Sequence, residues 1–76
     1  MKLAVVANTN GNFAIHTEHG DNETAAIMEF HSYSRALWGD SGTIKATVEI
    51  LDDQLDLYKE YKEVINKEEP EPNTEG

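Results

Sequence analysis

The residues best suited to bind a metal are three histidines and a neighbouring glutamate. His16, Glu18 and His19 sit close together, and His31 lies further along the chain. Imidazole nitrogens with a carboxylate oxygen suit zinc or nickel. On an extended segment, however, His16 and Glu18 share one face while His19 points away. No three-ligand geometry follows, so no metal or other cofactor is expected. A weak histidine-based metal binder is the third reading of the chain.

Gly39-Asp40-Ser41-Gly42 spells the tetrapeptide around the nucleophile of trypsin-like proteases. Those enzymes also need a distant histidine and a distant aspartate carried on two β-barrels, more than 76 residues can build. The same four residues are what a helix-to-strand turn requires, and they read as a turn. Asp52-Asp53-Gln54-Leu55-Asp56 lacks the central glycine and closing glutamate of a calcium loop. With no glycine-rich phosphate loop and no nucleophile beside a base, the chain is expected not to be an enzyme.

Charge points elsewhere. Fifteen Asp and Glu stand against six Lys and Arg, a net −9. Residues 67–76 carry four glutamates against Lys67, which leaves −6 on residues 1–66. Such a balance argues against direct contact with nucleic acid or anionic membranes and suits a basic protein partner. Asp40, Asp52, Asp53 and Asp56, with Glu49, Glu60 and Glu63, form the densest acidic stretch, and Asp52, Asp53, Asp56, Glu60 and Glu63 are its candidate interface residues. Trp38, Tyr58 and Tyr61 are the aromatics best placed to anchor an interface. Read instead as a base-stacking platform, these rings and Tyr33 would need a basic groove, which six scattered cations do not supply.

The elements that must hold these residues are read from period and punctuation. Without cysteine, neither a disulfide nor a cysteine zinc site can staple so short a chain. Residues 2–19 predict a hairpin around Asn10-Gly11, the pair that supplies both positive φ angles of a type I′ turn. A two-residue loop sets Val6 opposite Ile15 and Ala4 opposite Thr17, with Val6, Phe13 and Ile15 facing the core. Residues 22–38 predict a helix capped by Asp21 or Asn22, with Ala26, Ile27, Phe30, Tyr33, Ser34, Leu37 and Trp38 recurring at three- and four-residue spacing, and ended by a left-handed Gly39. A strand from Phe30 to Trp38 is the competing reading. Thr43 to Ile50 alternates strictly and predicts a half-buried strand. Asp52 or Asp53 then caps a second helix to about Asn66, with Leu55, Leu57, Tyr58, Tyr61, Val64 and Ile65 as its apolar set.

The expected fold is therefore a small single α+β domain in the order β-β-α-β-α, a three-stranded sheet packed by two helices. It spans residues 1–66, followed by a disordered acidic tail, 67–76, that has no large apolar residue. Met1-Lys2 and the short apolar run Leu3 to Ala7 are too brief for an export or membrane segment, so the expected location is cytoplasmic. The expected function is a non-enzymatic protein-interaction module. Its acidic face docks on a basic, nucleic-acid-binding protein, as a nucleic-acid mimic or inhibitor of the phage or mobile-element kind does. The alternative is a structural homo-oligomer, a homodimer above all, without ligand.

Overall fold

Asn10 and Gly11 take φ angles of 52° and 83°, so the two-residue turn forms where its chemistry demands. It joins β1 (Leu3–Thr9) to β2 (Asn12–Gly20). The computed structural model describes residues 1–67. After β2 come α1 (Glu23–Gly39), β3 (Lys45–Leu51) and β4 (Leu57–Asn66). The four strands form one antiparallel sheet in the order β2-β1-β3-β4, and α1 covers one of its faces. The architecture is broadly α+β, with one helix and four strands among the described residues where two helices and three strands were expected.

The helix forms for the reasons its sequence declares. Asn22 Oδ1 accepts from the Ala25 N–H at 3.0 Å, satisfying one of the orphan donors of the first turn. Ala26, Phe30, Ser34 and Leu37 recur at helical spacing and are buried. They meet Leu3, Val5 and Ala7 of β1, Ala46, Val48 and Ile50 of β3, and Ile65 of β4. Truncating Phe30 at the centre of this layer would cost about 3–5 kcal/mol, most of what so small a domain has. Gly39 keeps a negative φ, so it does not end the helix in left-handed form. The helix stops at Asp40, which turns extended, and a distant cation closes the end. Lys67 Nζ donates to the Leu37 and Asp40 carbonyls at 2.7 and 2.8 Å, favourable charge at the negative end of the dipole. Lys67, assigned above to the tail, is thus tied to the fold; residues 68–76 lie outside those described.

The hairpin register differs from the expected one by a residue. Thr9 pairs with Asn12 and Asn8 with Phe13, but Ala7 pairs with Ile15 and Val6 with His16. Ala14 is the extra residue of a bulge. That slip keeps Ile15 toward the helix while sending Phe13 and Val6 to the other face. Leu3, Val5 and Ala7 therefore line the core, and Phe13 is 67% exposed.

The second expected helix is a strand. Glu49 pairs with Lys62 and Leu51 with Leu57, so Ile50 alone faces the four residues Tyr58 to Tyr61. Lys59 and Glu60 take positive φ, 48° and 62°, inside this wide bulge. The insertion returns Tyr58 and Tyr61, three apart, to the same side of the sheet. A bulged strand thereby reproduces the three- and four-residue apolar spacing of a helix. Asp52, expected as a helix cap, closes the β3–β4 loop instead. Its Oδ1 accepts from the Gln54 and Asp56 N–H groups at 2.9 and 3.0 Å. Capping a helix and closing a turn use the same short carboxylate chemistry.

Candidate functional site

The face of the sheet that α1 leaves uncovered is where exposed apolar and charged groups meet. Alternation places Ala4, Val6 and Asn8 of β1, Thr47, Glu49 and Leu51 of β3, and Lys62 and Val64 of β4 on that face. His16, Glu18 and Phe13 of β2 lie there too, across from Val6, Ala4 and Asn8. At the end nearest the β3–β4 loop the surface dips into a groove of about 350 Å³. Its floor is Ala4, Val6 and Leu51, with Leu55 as one wall. Glu18, Asp52 and Asp53 stand at its edge against, among the described residues, a single cation, Lys2, and His16 lines one side. A shallower hollow of about 320 Å³ lies at the far end, among Asn8, Thr47, Val64 and Asn66.

Local structure explains why the acidic edge exists. β3 must end at Leu51 because Asp52 diverts the following amides to its own carboxylate, which fixes the loop and sets Asp53 beside it. Leu55 takes φ 64° in the same loop and is 73% exposed, an apolar side chain held out toward solvent. The apolar run Leu3-Ala4-Val5-Val6-Ala7 supplies apolar residues to both faces of β1, the helix side and the groove side.

The remaining expected interface residues lie elsewhere. Glu60 is exposed within the β4 bulge. Asp56 is exposed just before β4, at the far end of the loop. Trp38 Nε1 donates to Glu63 at 2.9 Å, which ties the last turn of α1 to β4. Tyr61 packs edge-on against Phe30, with ring centroids 5.6 Å apart, and Tyr58 stacks beside it at 6.4 Å. Tyr58 donates its hydroxyl to Glu23 at 2.9 Å, and Lys59 pairs with the same carboxylate at 3.2 Å. Those two contacts, the tyrosine first, hold the Glu23 carboxyl below its ordinary range, and the pairing raises Lys59. The two tyrosines therefore fasten β4 to the helix. The acidic stretch does not gather on one face: Asp52 and Asp53 border the groove, whereas Glu63 turns toward α1.

The histidines point in different directions. His16 lies 3.8 Å from Glu18 on the uncovered face, His19 bonds to Glu29 of α1, and His31 packs on Phe30 and Tyr61. Among the described residues no three metal-binding side chains converge. Asp40, in the protease-like tetrapeptide, is taken up by its turn. It accepts from the Thr43 hydroxyl at 2.6 Å and more weakly from the Gly42 N–H, bonds that lower its carboxyl pKa. Among the described residues no helix is long and apolar enough to cross a membrane. Compared with known proteins, the chain matches no family model, no curated protein and no solved structure.

Proposed function

We propose that this chain is a non-enzymatic interaction module that takes a basic protein surface into the acid-edged groove of its uncovered sheet face. The observation that carries the reading is the groove itself: an apolar floor of Ala4, Val6 and Leu51 edged by Glu18, Asp52 and Asp53 against, among the described residues, Lys2 alone. An apolar floor with a charged rim is the usual anatomy of a docking site, and the rim selects partners of opposite sign. The fitting partner presents an apolar side chain flanked by lysine or arginine. A nucleic-acid-binding protein has such a surface, and the carboxylates then stand where phosphates would.

The test is capture from a lysate of the source organism at low salt and at about 1 M salt, where charges are screened within ~3 Å. Tagged wild type is compared with the double variant Glu18→Lys/Asp53→Lys and with Glu60→Lys, whose charge lies away from the groove. The expected result is a basic protein held at low salt, released at high salt, lost with the double variant and kept by Glu60→Lys. If that protein binds nucleic acid, duplex DNA competes for it. Retention unchanged by salt or by the groove variant, or no retained protein at either salt, overturns the reading.

A further inference from the structure

Among the described residues both outer strands of the sheet, β2 and β4, have one side without a neighbouring strand, and they are built in opposite ways. Such an edge presents alternate N–H and C=O groups to any strand that approaches, and proteins guard against this with bulges and charged residues, lysine above all. β4 is guarded: a wide bulge with two left-handed residues interrupts it, and it carries Lys59, Glu60, Lys62 and Glu63. β2 is not. Its bulges fall near its two ends, and between them Ile15, His16, Thr17 and Glu18 pair regularly with β1. It has no lysine and no proline, and Glu18 is its one acidic residue.

Charge selects the occupant of this edge. Two copies of a chain at −9 repel wherever acidic surfaces meet. Residues 1–20, which hold the β1–β2 hairpin, carry one acid, Glu18, against one base, Lys2. With its charges balanced, the hairpin is the part of the molecule where like-charged copies can approach. An antiparallel strand pair is also self-complementary about a two-fold axis, the symmetry a homodimer needs. We propose that β2 pairs antiparallel with β2 of a second copy, extending the four strands to a continuous eight-stranded sheet. The two acid-edged grooves then lie on one shared face. This pairing does not depend on what those grooves bind.

Sedimentation of the full chain from about 20 µM to about 1 mM tests it, since dimerisation follows mass action. The expected mass rises to twice that of the monomer. His16→Lys puts a lysine on the outer edge at an exposed position and weakens the dimer at least about tenfold. Val64→Lys, on the uncovered face of β4, leaves it unchanged. Amide hydrogen exchange of the wild type supplies a measurement that needs no variant: protection at residues 15–18 rises with concentration while that of β4 does not. A monomer at about 1 mM overturns the proposal. So does a dimer dispersed by Val64→Lys and not by His16→Lys, which would place the contact on the sheet faces, or protection that rises in β4 instead.

Discussion

The two hairpins of this sheet reach the same topology by different physics. The β1–β2 hairpin turns on two residues, and the side chain of the first then reaches across the molecule. Asn10 Nδ2 donates to the Gly42 carbonyl at 2.9 Å, and Asn10 Oδ1 accepts from the Ile44 and Lys45 N–H groups at 2.8 and 3.1 Å. One residue thereby forms the turn and fastens it to the segment leading into β3. The β3–β4 hairpin is closed locally by Asp52, whose accepted bonds stay inside its own loop. A latch between distant segments restrains the whole sheet, whereas a local one restrains only a loop.

The largest expected effect breaks that contrast. Asn10→Ala removes three hydrogen bonds worth about 1 kcal/mol each and leaves a non-glycine residue in the left-handed region without its local support. A loss of about 3 kcal/mol follows, enough to leave much of so small a domain unfolded. Asn10→Gly keeps the turn geometry and loses the bonds, so it falls about 1 kcal/mol short of that. Asp52→Ala costs about 1–2 kcal/mol, because its loop is exposed and water replaces the lost acceptor. Urea midpoints of the three variants rank them. Equal losses at Asn10 and Asp52 would mean that the cross-molecule latch adds nothing to a turn.

The same contrast explains which parts of the fold were legible in the sequence. Asn10-Gly11 needs only its own two residues to make a turn, and the hairpin was readable from them. The helix was readable because Asn22, the apolar spacing and the stop near Gly39 agree. What failed were the two places where inserted residues change the count, one in β2 and three in β4. Ala14 shifts the β1–β2 register by one, so alternation assigned Val6 and Phe13 to the core in place of Leu3, Val5 and Ala7. Lys59 and Glu60 break the period of β4, and the broken period looks helical. No local pattern announces either bulge, because a bulge is selected by the strand across from it. The candidate site was half legible. Asp52 and Asp53 stand out by charge alone, but as a helix cap and a helix face. Its floor was hidden by the apolar run of β1, whose lack of alternation is itself a sign of a strand with two apolar faces.

A smaller effect sharpens the comparison at the bulge. Glu60 is exposed and left-handed, a conformation that costs an L-residue about 1–2 kcal/mol. Glu60→Gly removes that cost but gives the unfolded chain more freedom, for a net stabilisation of about 1 kcal/mol. Replacing Gly11 by alanine on the other hairpin, at φ 83°, has the opposite sign and similar size. Thermal unfolding of both variants decides it. A destabilised Glu60→Gly would show that the Glu60 side chain is held by contacts stronger than the strain.

The smallest expected effect is the response to pH, and it separates the two sides of the molecule by sign. Asp40, beside the turn that Asn10 holds, has its carboxyl lowered by Thr43 and Gly42. Glu23, beside the β4 bulge, is lowered by Tyr58 and Lys59. A carboxyl lowered on folding adds stability above its unfolded range near about 4, and that stability is lost as pH falls through the folded value. Both sides therefore weaken in acid. Lys59 is raised by Glu23, so its share is complete below the ordinary lysine range and is lost as pH rises through the folded value. This alkaline loss belongs to the β4 side. Asp40 and Lys59 are exposed and Glu23 is half-buried, so screening keeps each contribution small. Urea midpoints measured across pH should show Thr43→Val flattening the acid limb alone, whereas Lys59→Gln flattens both limbs. An alkaline limb unchanged in Lys59→Gln would mean that the pair at the bulge is formed but adds nothing to stability, leaving the packing of Tyr61 on Phe30 to hold β4 against the helix.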